Sequence, residues 1–216
     1  MPERTPVLDG AGILDLSPVV PVVVLDDPEF AAPLARALAA GGVGVVELTL
    51  RTPSALECAR RIREEVPEVV LGLGTVLTPA DVDAARAVGA QFLVSPGATP
   101  ALYEAVAGSG LPFLPGTATL SEVLTALEHG HRAVKFFPAE QSGGPELLAA
   151  WAAPVPHARF CPTGGIGPES ARRYLDLPTV GCVGGSWLTP RDAVLAHDTT
   201  RITQLARDAV TRLRTP

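Results

Sequence analysis

Lys135 is the residue whose type and position most strongly indicate chemistry. The chain contains 17 lysines and arginines, and Lys135 is its single lysine. Arginine can replace lysine wherever a surface charge is enough, but a guanidinium stays protonated and cannot act as an amine nucleophile. Lys135 lies in the apolar run AVKFF at 133–137, and burial favours the neutral amine that attacks a carbonyl. We interpret Lys135 as a nucleophile; a lysine that reaches solvent or pairs with an acid is the alternative.

Glu47 is the second candidate, because it interrupts the apolar run VGVVELTL at 43–50. Successive side chains of a strand alternate between faces, so Glu47, Thr49 and Arg51 should point the same way. A carboxyl group among apolar residues is suited to moving the protons that iminium chemistry requires. We interpret Glu47 as a general acid and base beside Lys135; a structural ion pair with Arg51 or Lys135 is the alternative.

Anion binding is indicated by glycines and by one arginine. The glycines lie in TGGIGP at 163–168 and in GGS at 184–186, each after a predicted strand. Glycine lets backbone N–H groups approach an anion closely, and a following helix N-terminus adds a favourable dipole. These segments predict a phosphate site, with plain tight turns as the alternative. Arg51 is predicted to bind both oxygens of a carboxylate; an ion pair at the rim of the barrel is the alternative. Thr75 is predicted either to add a hydroxyl to the site or to close the turn after Gly74.

The elements that must position these residues are strands that alternate with helices. Eight short apolar segments are predicted as strands, at residues 19–25, 45–50, 69–73, 92–95, 112–115, 133–136, 159–162 and 180–183. Segments with helical periodicity separate them, which implies a parallel sheet. Eight such units predict one domain over residues 1–216, a (β/α)8 TIM barrel with a short helix at 11–16 on its floor. The alternative is a doubly wound open sheet, although no GxGxxG follows the first strand.

Composition and charge exclude several classes of protein. Hydrophobic residues make up 47% of the chain and charged residues 19%, which provides a large core. The net charge of -6 argues against a nucleic-acid partner, and no apolar run is long enough for a membrane span. The first ten residues lack the apolar region of a secretory signal. Three cysteines without metal-ligand spacing predict a reduced, cytoplasmic protein with no metal and no cofactor.

The sequence resembles the KDPG/KHG aldolases (2-keto-3-deoxy-6-phosphogluconate and 4-hydroxy-2-oxoglutarate aldolases) from about Ile13 to the C-terminal helix. The resemblance is carried by PVVPV at 18–22, ELTLRT at 47–52, GTVL at 74–77, SPG at 95–97, KFFPAE at 135–140, RFCPTGGI at 159–166 and GGSWL at 184–188. It implies a metal-free class I aldolase on a (β/α)8 barrel, usually a homotrimer. Such an enzyme would cleave 2-keto-3-deoxy-6-phosphogluconate to pyruvate and glyceraldehyde 3-phosphate, with 4-hydroxy-2-oxoglutarate as a second substrate.

The resemblance also implies a role for each site residue. Lys135 holds the position of the Schiff-base lysine, and Glu47 that of the general acid and base. Arg51 and Thr75 match positions that hold the pyruvyl carboxylate. Pro96 and Phe137 match positions that form the wall of the pyruvate pocket. The positions that receive the phosphate and its neighbouring hydroxyls are matched by Thr163, Gly164, Gly165, Gly184, Gly185 and Ser186.

The family pattern is not matched everywhere. Leu73 and the segment TAT at 117–119 depart from it, and both are expected to touch the pocket wall. The preference among gluconate, galactonate and 4-hydroxy-2-oxoglutarate substrates therefore stays open. A phosphosugar isomerase or epimerase on the same barrel, which would not need Lys135, and a non-catalytic binding relative are the two alternative functions.

Overall fold

A computed structural model describes residues 9–214; residues 1–8, most of the segment considered for a secretory signal, lie outside the described residues. The strands are β1 (Val19–Val23), β2 (Val45–Thr49), β3 (Val70–Gly74), β4 (Phe92–Val94), β5 (Phe113–Leu114), β6 (Gly116–Thr117), β7 (Ala133–Phe136), β8 (Arg159–Pro162) and β9 (Val183–Gly185). The helices are α1 (Gly10–Asp15), α2 (Pro28–Ala40), α3 (Ala55–Glu65), α4 (Pro79–Ala87), α5 (Pro100–Ser109), α6 (Leu120–Glu128), α7 (Gly144–Trp151), α8 (Ala171–Leu175), α9 (Arg191–Leu195) and α10 (Thr199–Arg214).

Within the described residues the strands pair in parallel in two sheets. The larger sheet has the order β5-β4-β3-β2-β1-β9, and the smaller has the order β6-β7-β8. Isolated parallel bridges join Phe160 to Val180 and Thr163 to Gly184. Helices separate most of the strands because a parallel pair needs a crossover connection. The predicted α/β architecture with parallel strands is therefore confirmed.

The fifth predicted strand differs from the prediction. The segment at 112–115 forms β5, and a separate strand, β6, begins after Pro115. Proline has no N–H to continue a ladder. The Pro115 carbonyl instead accepts a hydrogen bond from the Lys135 N–H at 2.9 Å, so the chain passes from one sheet to the other at this residue.

The eighth predicted strand is shifted along the chain. The strand predicted at 180–183 is observed as β9 at Val183–Gly185. In it, Gly184 and Gly185 pair with Val20 and Pro21 of β1. Both glycines therefore lie inside a strand and not in a loop after it. A β-carbon at Gly184 would overlap the Thr163 hydroxyl, and one at Gly185 would overlap the Trp187 ring. The close packing of these neighbours explains why a strand here contains glycine.

The core contains strands that are buried on both faces and the inner faces of the helices. All five residues of β1 and all five of β2 are buried, as expected when helices cover one face of a parallel sheet. The predicted short helix is α1, which contacts β7 and β8. Its Asp15 pairs with Arg159, the first residue of β8, at 2.8 Å, so α1 lies at the amino ends of these strands. Within residues 9–214 no helix is long and apolar enough to cross a membrane.

Candidate active site

The two sheets approach each other at Lys135 and Glu47. Glu47 is the third residue of β2 and Lys135 is the third residue of β7. The Lys135 Nζ donates a hydrogen bond to Glu47 Oε1 at 3.0 Å, and the two side chains are only 4% and 3% exposed. The predicted acid therefore stands within hydrogen-bond reach of the predicted nucleophile. A buried pair of this kind gives the amine a partner with which a proton can be exchanged.

The backbone of Lys135 is held from both sides. Lys135 pairs with Gly116 of β6 and with Cys161 of β8, and the Thr117 hydroxyl donates to the Lys135 carbonyl at 3.1 Å. The Lys135 Nζ also lies 5.3 Å from the centre of the Phe137 ring, a distance at which a cation interacts favourably with an aromatic face. These contacts fix the direction in which the amine points.

Gly74 makes room for the Glu47 carboxylate. The residue ends β3, next to β2, and a β-carbon there would overlap Glu47 Oε1 and lie 2.6 Å from Glu47 Cγ. Sequence reasoning did not include Gly74 among the site residues. The available signal was a glycine at the carboxyl end of a strand, which often marks a close approach by another group.

A cavity of about 220 Å³ adjoins the pair. Nine of the predicted site residues line it: Arg51, Lys135, Phe137, Thr163, Gly164, Gly165, Gly184, Gly185 and Ser186. Val22, Val24 and Ile166 also line the cavity and were not predicted. Val22 and Val24 are two positions apart at the end of β1, and side chains at this spacing share a face of a strand, so the sequence could have indicated both. A larger cavity of about 490 Å³ surrounds Tyr103 and His129, so chemistry and not size identifies the candidate site.

Arg51 and Thr75 lie together at the edge of the site. The Arg51 Nε donates to Thr75 Oγ1 at 3.0 Å, and Thr75 has a φ of 60°, which is uncommon for a residue with a side chain. Of the two ion pairs considered for Glu47, the structure shows the one with Lys135 and not the one with Arg51. The exposed Arg51 side chain can reach an anion without breaking a buried contact.

Of the predicted site residues, Glu47, Thr75 and Pro96 do not line the cavity, and neither do Leu73 and the TAT segment at 117–119. Pro96 packs its carbonyl group against the position of Gly116. Leu73 is fully buried in β3, and Thr117 bonds to the Lys135 backbone. The expectation that Leu73 and the TAT segment touch the cavity wall is therefore wrong: Leu73 and Thr117 are buried, whereas Thr119 is exposed and caps α6.

The segment after β8 forms a glycine turn, Gly164 and Gly165, in the left-handed region of φ at 106° and 78°. The N–H groups of Ala139 and Glu140 donate to the carbonyls of Thr163 and Gly164, at 2.8 Å and 3.1 Å. Between residues 9 and 214, the N–H groups of Gly165 and Ile166 donate to no protein acceptor. Unpaired N–H groups in a left-handed turn form a concave site for an anion.

Across the described range 9–214, no three His, Cys, Asp or Glu side chains are grouped so that they could hold a metal ion.

A buried amine paired with a carboxylate, on parallel strands and beside a turn with unpaired N–H groups, has the groups that Schiff-base chemistry on a carbonyl requires. The sequence model of the KDPG and KHG aldolase family matches residues 11–205. The chain belongs to this family, and the prediction of an aldolase, a carbon–carbon lyase, is confirmed. The isomerase and the non-catalytic binding relative are set aside.

Similar proteins match over nearly the whole chain. The KHG/KDPG aldolase of Escherichia coli (strain K12) is 50% identical over 198 residues, which are 92% of this chain and 93% of the relative. A KDPG aldolase from Legionella pneumophila, with pyruvate captured at low pH as a covalent carbinolamine intermediate, is 42% identical with a TM-score of 0.92, covering 94% and 98% of the two chains. The Zymomonas mobilis ZM4 aldolase with 3-phosphoglycerate is 44% identical with a TM-score of 0.89, covering 94% and 95%.

Proposed function

We propose that this protein cleaves 2-keto-3-deoxy-6-phosphogluconate to pyruvate and glyceraldehyde 3-phosphate through a Schiff base on Lys135. The observation that carries the proposal is the buried 3.0 Å contact between the only lysine of the chain and Glu47. The pyruvate carbinolamine in the Legionella relative and the 3-phosphoglycerate in the Zymomonas relative support it. We propose 4-hydroxy-2-oxoglutarate as a second substrate, since it has the same 2-keto and 4-hydroxyl groups.

The proposed mechanism begins when the Lys135 amine attacks the C2 carbonyl of the substrate. Glu47 moves the protons that convert the carbinolamine to an iminium, with loss of water. The iminium then accepts the electrons of the C3–C4 bond as the C4 hydroxyl loses its proton, and glyceraldehyde 3-phosphate leaves. The remaining enamine is protonated at C3 and hydrolysed, which releases pyruvate and restores the free amine.

The binding roles follow the distribution of charge around the cavity. Arg51 and Thr75 are proposed to hold the carboxylate, and Phe137 to form the apolar wall beside the pyruvyl group. The glycine turn with Thr163, Gly184, Gly185 and Ser186 is proposed to receive the phosphate and its neighbouring hydroxyls. Pro96 is proposed to shape the wall indirectly, through its contact with Gly116.

Gly74→Ala should lower kcat by about tenfold or more. The added methyl occupies the space of the Glu47 carboxylate and moves it away from Lys135, and positioned acid–base groups contribute roughly 10²–10⁴ to turnover. Steady-state cleavage, measured with a coupled pyruvate assay, tests this result. Gly44→Ala is the matched control, because no atom lies within 4 Å of its new methyl. Unchanged turnover in a folded Gly74→Ala variant would show that the position of Glu47 does not matter.

Ser186→Asp should raise the KM for the phosphorylated substrate by about tenfold, because a carboxylate beside the phosphate adds like-charge repulsion. Ser186 is exposed and lines the cavity, so the repulsion should weaken at high salt. The measurement compares KM for 2-keto-3-deoxy-6-phosphogluconate with KM for the same sugar acid without its phosphate. Ser186→Asn serves as the control, because asparagine has nearly the shape of aspartate but carries no charge. An equal rise for both substrates would contradict a phosphate site here.

We further propose that the two sheets together form a (β/α)8 barrel. The passage of the chain through Pro115 from β5 to β6, and the bridges between the end of β8 and the segment around β9, support closure. A cytoplasmic homotrimer is also proposed. The cysteines Cys58, Cys161 and Cys182 are free and buried, which suits a reducing compartment. The exposed Val24 and Leu195 offer apolar surface to another copy of the chain.

A further inference from the structure

Glu140 and Tyr174 lie behind the glycine turn. The Tyr174 side chain is fully buried in α8, and its hydroxyl donates to Glu140 Oε1 at 2.8 Å. The Glu140 N–H in turn donates to the Gly164 carbonyl at 3.1 Å. Neither residue lines the cavity that Gly164 and Gly165 line. Glu140 therefore contacts the turn from outside the cavity, and Tyr174 contacts Glu140.

The stem of Glu140 packs directly on Gly165. A β-carbon on Gly165 would lie 2.7 Å from Glu140 Cγ and 2.8 Å from Glu140 Cβ, so only a bare α-carbon fits against the stem. Gly165 adopts a φ of 78°, which glycine reaches at no steric cost. The contact limits how far the turn can move and so sets the direction of the N–H groups of Gly165 and Ile166.

Tyr174 determines where the Glu140 carboxylate lies. Burial, together with the hydrogen bond to Glu140, raises the pKa of Tyr174 well above its ordinary value, so the hydroxyl remains a donor. Glu140 itself is only partly buried. The nearby cation Arg173 is paired with Glu146 at 2.7 Å. The hydrogen bond from Tyr174 fixes the direction of the Glu140 side chain beyond its β-carbon, and so the position of the Glu140 Cγ that lies beside Gly165.

We infer that Glu140 and Tyr174 are positioning residues that hold the glycine turn in the shape that receives the phosphate. They thereby set the preference for phosphorylated over unphosphorylated substrates. The inference rests on the proposed phosphate site. Because the pair acts through the turn and touches neither Lys135 nor Glu47, its loss should change KM for the phosphorylated substrate and leave the chemical step intact.

The test is Tyr174→Phe, which removes one hydroxyl and keeps the ring. KM for 2-keto-3-deoxy-6-phosphogluconate should rise about tenfold, the order expected for a lost charge-assisted hydrogen bond. The kcat for that substrate, the kinetic constants for the unphosphorylated sugar acid, and the yield of the borohydride-reduced pyruvate adduct should stay near wild type. Should the phenylalanine variant fold poorly, Glu140→Ala removes the Cγ that lies beside Gly165, together with the carboxylate, and should give the same selective rise.

Two variants separate positioning from general destabilisation. Tyr103→Phe removes the hydroxyl of another buried tyrosine, one that lines a different cavity, and should leave both KM values unchanged. Glu140→Gln keeps the stem and an oxygen that accepts from Tyr174, and should stay within about threefold of wild type.

The outcomes distinguish the inference from the site on which it rests. An equal loss with both substrates in Tyr174→Phe would overturn the inference. If Ser186→Asp discriminates between the substrates but Tyr174→Phe and Glu140→Ala do not, the phosphate site stands and the positioning role is wrong. If none of these variants discriminates, the phosphate assignment fails, and the positioning role fails with it.

Discussion

Lys135→Arg should abolish cleavage, lowering kcat by roughly four orders of magnitude or more, as loss of a covalent nucleophile does. Arginine keeps the positive charge and most of the volume, but its guanidinium cannot form an iminium with a carbonyl. It also keeps a cation opposite Glu47, which matters because breaking a buried pair leaves one charge uncompensated at a cost of about 3–5 kcal/mol. The thermal unfolding midpoint of Lys135→Arg should therefore remain measurable and show a folded protein.

Borohydride trapping provides the direct test of the nucleophile. Wild-type protein incubated with pyruvate and borohydride should gain one pyruvyl group per chain, and peptide mapping should place it on Lys135. No other side chain of the protein carries a primary amine, because Lys135 is the single lysine. A free N-terminal amine is the competing group to be distinguished by the mapping. An adduct on the N-terminus alone, or retained cleavage in Lys135→Arg, would refute the Schiff-base assignment.

Glu47→Gln is expected to lower turnover by about 10²–10⁴, the usual contribution of a positioned acid or base. Glutamine has nearly the shape of glutamate and can still accept the hydrogen bond from Lys135 Nζ, which spans 3.0 Å in the native pair. What it lacks is a proton that can be gained and lost. The variant should bind pyruvate but form the reduced adduct more slowly, because carbinolamine dehydration needs proton transfer.

Glu47→Asp separates proton transfer from simple charge pairing. Aspartate keeps a titratable carboxyl group but places it one methylene further from Lys135, so turnover should fall between that of wild type and that of Glu47→Gln. Near wild-type turnover in a folded Glu47→Gln variant would leave Glu47 with a structural role only, as the buried hydrogen-bond partner of Lys135.

The residue types at the site could be read from the sequence because they are local anomalies in an apolar pattern. Lys135 and Glu47 each interrupt a short strand, and the strands that carry them were predicted at 133–136 and 45–50; the structure has them at Ala133–Phe136 and Val45–Thr49. Successive side chains of a strand alternate between its two faces, so the local pattern indicates which residues share a face. For that reason the α/β order and the two principal candidates needed no tertiary information.

Other features depended on contacts between distant parts of the chain. The pairing of Glu47 with Lys135 joins residues 88 positions apart on strands of different sheets, and it excluded the pair with Arg51 that the sequence had left open. Gly74 was missed because its importance is the space it leaves for a side chain on the neighbouring strand. The strand predicted at 180–183 is observed as β9, which includes Gly184 and Gly185, because pairing with β1 begins at Val183.

The sequence by itself therefore determined which side chains are available for chemistry and the order of strands and helices that carries them, because both follow from local hydrophobic pattern and residue type. Only the tertiary structure decided which of those side chains meet. Glu140 and Tyr174 illustrate the difference: each is ordinary in its own segment, and their hydrogen bond arises only when α8 packs beside the segment after β7. Distances between such residues depend on strand register and helix packing, which no local pattern specifies.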